Sequence, residues 1–296
     1  MDRLTRRERR AGSQRVMCFK DECNGGTTDR RAFLRAATAT TVAGLAAWQA
    51  GAAQTKQPET RVLDDARVAH GRVVFKHNGV DAIDGFLARP KAEGVYPAVL
   101  VIAGNKISEE YIPNTCAALA LAGFIGLAPN IYHPLPDDVP NDNELYKKYI
   151  GNHTEPDILD DIQAGASYLR TQRFVRAGGM GILGFCFGGR LALLFAARSR
   201  EIDAVVAFHP GLMKEGELAR LNVPVQLHHG TADHSVSVTE SQKLEKSLKV
   251  QATPAQLFTY EGADHGFLAY TRPFYRPDDA KLAWTRATQF LREHLK

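Results

Sequence analysis

The sequence predicts an α/β domain built on a mostly parallel sheet with helices on both faces. Three observations lead there. The run "AVLVIAG" (98–104) is almost continuously apolar, as a central parallel strand buried on both faces reads. After it, short β-rich runs alternate with helical segments to the end of the chain. And "GILGFCFGGR" (181–190) joins a strand directly to a helix through a cysteine bracketed by Gly184 and Gly188.

Taken in order, "GRVVFKH" (71–77) and "DAIDGFLARP" (81–90) read as strands, and "NGV" (78–80) between them is a hairpin signal. Strand 98–104 is followed by a helix over 108–123, with Pro113 as a candidate break, and by strand "FIGLAPN" (124–130). An irregular stretch, 131–155, is interrupted by Pro134, Pro136 and Pro140. Residues 156–172 form a helix with Ile158, Ile162, Ala166 and Leu169 on one side. A strand over 179–185 and a helix over 187–199 flank the hinge. Strands follow at 203–210 and 223–230, then a helix at 237–249 and a strand at 255–262. In the closing helix, 278–296, the expected inner face is Leu282, Trp284, Ala287, Phe290, Leu291 and Leu295.

The 296 residues suffice for one large domain with a sizeable core. The net charge of +4 is uneven. Residues 1–35 hold ten Lys/Arg against five Asp/Glu, while the remainder balances 27 against 28. The body therefore carries no basic footprint for a nucleic-acid partner. Four scattered cysteines (Cys18, Cys23, Cys116 and Cys186) make neither a disulfide scaffold nor a C-x-x-C zinc site.

The basic excess belongs to an address. "DRRAFLR" (29–35) places Arg30-Arg31 before Phe33-Leu34, and "AATATTVAGLAAWQAGAA" (36–53) follows. That run is too weakly apolar for a stable membrane span, and "AGA" (50–52) is a small-residue cleavage site. The segment resembles a bacterial twin-arginine export signal, which implies the twin-arginine translocation (Tat) machinery as a partner and a periplasmic or secreted product. The alternative is a tail ending in an amphipathic helix. Met17 is a candidate true start. The expected organisation is a signal segment at 1–53, a polar linker at 54–66 and the α/β domain at 67–296.

Parallel sheets place active sites at the carboxyl ends of their strands. Cys186 follows "GILGF", Asp233 follows "VQLHHGTA" and His265 follows "LFTYEGAD". Each has a bland reading alone: a buried thiol, a turn aspartate, a capped histidine. Together, in the order nucleophile, acid, histidine, they form a triad on the chain order of the α/β-hydrolases. The imidazole accepts the thiol proton and the carboxylate fixes its tautomer. The hinge needs glycines because the turn is tight, and a helix N-terminus favours the thiolate.

"GFCFGG" (184–189), "HGTADHSV" (229–236) and "GADHGF" (262–267) resemble the three catalytic motifs of the dienelactone hydrolase family, and the C-terminal helix resembles that family's closing helix. The resemblance spans about 70–295. It implies an α/β-hydrolase fold without a large lid, a small ester or lactone as substrate and no cofactor. It assigns Cys186 as nucleophile, His265 as base and Asp233 as orienting acid. The oxyanion hole would use the backbone N–H groups of Phe187 and Asn105.

Two departures stand out. The family's dienelactone-opening members carry a glutamate at the end of the early strand, where Gly104 stands here. They also carry an arginine after the motif histidine, where Ala269 stands here. With both partners of that charge pair gone, His265 is expected to activate the thiol, and either the substrate lacks a carboxylate or another cation binds it, Arg190 being one candidate. His209 ends a strand, where packing is the favoured reading over a pocket role. His228 and His229 lack a third ligand at metal-site spacing, so no metal is expected. Cys116 reads as core. Tyr132, Tyr146 and Tyr149 fall where such folds put substrate loops. The function expected is a cysteine-dependent lactone or ester hydrolase working through an acyl-thioenzyme. The alternatives are a general carboxylesterase or thioesterase and a catalytically silent binding protein.

Overall fold

The computed structural model describes residues 61–77, 81–104, 110–133, 153–214 and 216–296. Along the chain lie β1 (Val68–His77), β2 (Asp81–Pro90), β3 (Tyr96–Ile102), α1 (Tyr111–Leu121), β4 (Ile125–Pro129), α2 (Glu155–Arg170) and β5 (Val175–Phe185). There follow α3 (Phe187–Arg198), β6 (Ala204–Phe208), β7 (Val225–Gly230), α4 (Val238–Val250), β8 (Ala255–Tyr260) and α5 (Pro277–His294). The strands form one sheet in the order β1-β2-β4-β3-β5-β6-β7-β8. From β4 to β8 all neighbours are parallel. β2 pairs antiparallel with β1 and with β4.

The continuous apolar run of β3 is buried as expected from Ala98 to Ile102, and all of β4, β6 and β7 is buried as well. Alternate rows of the sheet serve alternate faces. Val99 is in register with Gly126 on one side and Gly181 on the other. A Cβ on Gly126 would lie 2.8 Å from the Cys116 Cα, and one on Gly181 would lie 2.9 Å from Leu291, so α1 and α5 rest on this bare row. The next row carries Leu100, which faces Gly165 of α2 on the opposite side. Leu100 is fully buried; truncating it to alanine would cost about 2–5 kcal/mol.

β3 connects to β4 on one side of the sheet, whereas β5 connects through α3 to β6 on the other. The chain thus reverses direction of growth between β3 and β5, and a crevice opens outside their carboxyl ends. Beneath it runs an aromatic row. Phe185, Phe208 and His228 are in register on β5, β6 and β7 and stack at 5.1 and 4.6 Å. Tyr111 meets Phe185 edge-on, and Tyr260 and Phe267 extend the row past β7.

Helix ends follow local chemistry. The Asp157 carboxylate accepts the Thr154 N–H (2.8 Å) and hydroxyl (2.6 Å), capping α2, with Pro156 in its first turn. Ser237 caps α4. Pro113 does not break α1: it sits in the first turn, where its missing N–H would have no intrahelical partner. On α5 the expectation for Leu282 is corrected. It is 44% exposed, and the inner face is Ala280, Ala283, Ala287, Phe290 and Leu291. The helix starts at Pro277, and this phase turns Leu282 to solvent while Ala283 takes the inward position.

Among the described residues, no helix is long and apolar enough to cross a membrane. The segment 1–53, the "NGV" turn, Asn105, Tyr146 and Tyr149 lie outside the described residues. On either side of residues 78–80, His77 pairs with Asp81.

Candidate active site

Cys186 stands between β5 and α3 with φ 53° and ψ −121°, a backbone conformation that costs a non-glycine residue about 1–3 kcal/mol. The surroundings hold it there. Its N–H donates to Phe208 O (3.0 Å), and its carbonyl accepts from Arg190 N–H (3.1 Å) and Gly211 N–H (3.3 Å). The flanking glycines are sterically required. A Cβ on Gly184 would lie 2.2 Å from the Gly188 carbonyl oxygen, and one on Gly188 would lie 2.2 Å from that of Ile102. The cysteine is the N-cap of α3 and Phe187 its first residue, so the Phe187 N–H has no intrahelical acceptor and lies at the positive end of the helix dipole.

His265 reaches this thiol from the loop after β8. Its Nδ1 lies 2.8 Å from Asp233 Oδ2. A carboxylate only accepts, so Nδ1 carries the proton and Nε2 is left for Cys186, whose sulfur lies within 4.8 Å of a His265 ring nitrogen. The two supporting loops are tied together: Thr231 N–H donates to Tyr260 O, Ala232 N–H to Ala263 O, and Gly262 N–H to the Thr231 hydroxyl.

Asp233 is fully buried and accepts four donors. Ser235 and Val236 N–H groups reach Oδ1 at 2.8 Å each; His265 reaches Oδ2, and His229 Nε2 lies 3.3 Å from it. Burial alone would raise the pKa of this carboxyl group, but the hydrogen bonds from His229, His265 and Val236 outweigh it and hold the group far below the usual carboxylate range. Burial alone would lower the pKa of His265. Its bond to Asp233 and the nearby Cys186, with the charges of both, instead lift it from 6.5 to about 9.

His229 is a site residue whose role the sequence did not disclose. Its Nε2 also lies 2.9 Å from Val236 O, so that nitrogen carries the proton, and Nδ1 accepts from the Ser241 hydroxyl on α4 at 2.7 Å. The imidazole braces α4 to the Asp233 carboxylate. Its place at the end of β7 was a usable signal; the partner on α4 was not. His228 is a core residue, bonded to Tyr260 and Gln226, and burial followed by the Arg286 charge holds its pKa at about 3.

A cleft of about 180 Å³ opens over Cys186 and His265, lined also by Tyr111, Phe185, His209 and Arg272. The larger cavity, about 330 Å³, lies between segment 210–219 and α4, away from Cys186 and His265. His209 corrects the packing expectation in part. It is buried, yet its ring lies 4.2 Å from that of His265, centroid to centroid, and it borders the cleft. Burial, then the His265 charge, pushes its pKa well below 6.5, so it remains neutral.

Arg190 is corrected as a substrate cation. It is 11% exposed and spans Glu155 (2.5 Å), Glu217 (2.8 Å) and Leu212 O (3.0 Å), tying α2 and segment 211–217 to α3. Among the described residues, the cation bordering the cleft is Arg272, three residues beyond Ala269; both line it. Gly104 also lines the cleft, and a Cβ there would lie 2.6 Å from Phe185 O and 3.1 Å from the Cys186 Cβ. Tyr132 lies under this strand end, its hydroxyl shared between Ala103 O (3.3 Å) and Gly104 O (3.0 Å). Cys116 is core, and burial pushes its thiol's pKa up.

A sheet of this order, with a thiol on the turn after β5, a carboxylate after β7 and an imidazole after β8, has the α/β-hydrolase fold. The chain belongs to the dienelactone hydrolase family, whose model matches residues 83–295, and it is a hydrolase of lactones or esters. A Bradyrhizobium protein named "Probable 2-oxo-3-(5-oxofuran-2-ylidene)propanoate lactonase" is 33% identical over 71% of this chain and 89% of its own length. A candidate carboxymethylenebutenolidase of Methylorubrum extorquens is 27% identical over 84% of this chain and 90% of its own. The crystal structure of a candidate dienelactone hydrolase from Klebsiella pneumoniae superposes with TM-score 0.70 at 27% identity, covering 77% of this chain and 99% of that one.

Proposed function

We propose that this chain is a cysteine-dependent hydrolase that opens a lactone or small ester through an acyl-thioenzyme. The carrying observation is the relay Cys186–His265–Asp233, with the thiol on the elbow and the carboxylate fully buried. His265 takes the thiol proton. The thiolate attacks the acyl carbon, and the carbonyl electron pair moves to oxygen, facing the Phe187 N–H and, on the sequence reading, that of Asn105. Collapse breaks the acyl C–O bond, and His265 returns the proton to the departing alkoxide. In a lactone that alkoxide stays tethered, so the ring opens. A water, deprotonated by His265, then attacks the thioester and releases the acid and the thiol. The sum is one ester and one water converted to an acid and an alcohol.

The substrate class proposed is an anionic lactone. Support comes from Arg272 at the cleft and from the propanoate in the Bradyrhizobium relative's name. A neutral ester is the second reading, favoured by the uncharged Gly104 and Ala269 beside the thiol. Dienelactone kinetics separates the two: efficient, carboxylate-dependent turnover refutes the neutral-ester reading. The mechanism is tested by p-nitrophenyl acetate hydrolysis in wild type and Cys186→Ala, with mass spectrometry of the Cys186 peptide after quenching. The expected result is loss of turnover in the variant and an acetylated Cys186 in the wild type. Equal rates in both proteins would leave a silent binding protein as the better description.

We also propose twin-arginine export, on the strength of Arg30-Arg31, the weakly apolar run and the "AGA" site. Fractionation of a host with and without the twin-arginine translocase tests it. Periplasmic product only in the competent host is expected; cytoplasmic product in both would overturn it.

A further inference from the structure

A second cluster of metal-ligating side chains lies apart from Cys186 and His265, on the described residues that flank positions 134–152 and on α2. His133 follows the end of β4, His153 precedes the first turn of α2, and Asp161 is on α2. The Nε2 atoms of both histidines converge on the same oxygen, Asp161 Oδ2, at 3.4 Å for His133 and 2.7 Å for His153. One ligand atom from each of the three residues lies within 4.8 Å of the other two. The rings are nearly perpendicular, at 85° with centroids 5.2 Å apart, so they approach the carboxylate from different directions rather than stacking beside it.

The geometry points to a zinc-class divalent metal site formed by His133, His153 and Asp161, with water in the fourth position. Zinc takes histidine nitrogen and carboxylate oxygen at about 2.0–2.2 Å, which puts tetrahedral ligands about 3.3 Å apart. His133 already stands at that spacing from Asp161, and His153 would retreat by roughly half an ångström. The Asp161 side chain is 1% exposed, so its charge is costly to bury, and a dication offsets it more fully than imidazole dipoles do. His133, at 28% exposure, leaves a side open to water. Two imidazoles and one carboxylate suit zinc and its neighbours better than magnesium or calcium, which prefer all-oxygen shells. A bound ion would clasp both ends of the 134–152 stretch to α2.

This inference does not rest on the hydrolase reading, and its test removes that chemistry. The full chain, alkylated with iodoacetamide so that accessible thiols cannot compete, is freed of metal and titrated with zinc by calorimetry. Cobalt(II) absorption then reports the ligand geometry. We expect one equivalent of zinc and a tetrahedral cobalt spectrum without a thiolate band. His153→Gln keeps a hydrogen-bond donor for Asp161 and so preserves the fold; it should weaken zinc binding by more than about 100-fold, beyond the loss that outer-shell substitutions cause. No stoichiometric binding by the alkylated chain, or equal affinity in His153→Gln, would overturn the proposal and leave a carboxylate–imidazole knot.

Discussion

Replacing Asp233 by asparagine tests the relay at its most buried point. The carboxylate accepts from four donors, two of them backbone N–H groups on Oδ1. Asparagine can keep those two through its carbonyl oxygen. Its amide N–H₂ then faces His265 Nδ1 and His229 Nε2, both protonated in the native arrangement. His265 relieves the conflict by moving its proton to Nε2, the nitrogen that must accept from Cys186. The pKa lift of His265, from 6.5 to about 9, equals about 3 kcal/mol at 1.36 kcal/mol per unit. That figure is shared between Asp233 and Cys186, so it bounds what Asp233 contributes. Losing most of it in the transition state lowers kcat/KM about 10²-fold. The assay is kcat/KM for p-nitrophenyl acetate across about pH 5–10, with NMR titration of the His265 ring. Wild type should show an alkaline limb near 9. The variant should show the ring pKa falling back toward 6.5. An unchanged pH profile together with unchanged turnover would refute the reasoning.

Arg272→Gln should lower kcat/KM for a carboxylate-bearing lactone relative to a neutral ester by at least about tenfold, the loss of one charge-assisted contact; parallel kinetics on the two substrates measures the ratio. Gly104→Ala forces a Cβ against Phe185 O and the Cys186 Cβ, and calorimetry should show about 1–3 kcal/mol of lost stability together with reduced turnover. Ser241→Ala leaves a buried acceptor on His229 without its donor and should cost about 1–3 kcal/mol in urea unfolding. Because the folded-state pKa of His265 is raised, its contribution to stability is complete below about 6.5 and lost as pH rises through about 9. Wild-type Tm should therefore fall over that window, and Asp233→Asn should flatten the fall.

The strand–helix alternation was legible because buried parallel strands write continuous apolar runs, and β3 and β6 did so. The triad motifs were legible because tight turns demand glycine near Cys186 and His265. Residues brought together only by packing were not. Arg190 looked like a surface cation until Glu155 and Glu217 arrived from other elements. His229 reads as an ordinary strand residue without Ser241, twelve positions on. His209 borders the cleft because β6 ends beside β5, a fact of sheet order rather than of local pattern. Leu282 was misplaced because the apolar spacing of α5 admits more than one phase, and the small Ala283 took the inward position.

The stacked row Phe185–Phe208–His228 carries a further consequence. Each ring sits on the residue, or the residue pair, from which a functional loop departs, and the rings are held at the repeat of the sheet. The spacing of the thiol, the neutral imidazole of His209 and the acid loop is therefore set in steps, not continuously. A one-residue insertion in β5, β6 or β7 would advance that strand by one notch and turn its ring to the other face. New specificity in this scaffold is thus open to substitutions beyond the strand ends and closed to changes of strand length.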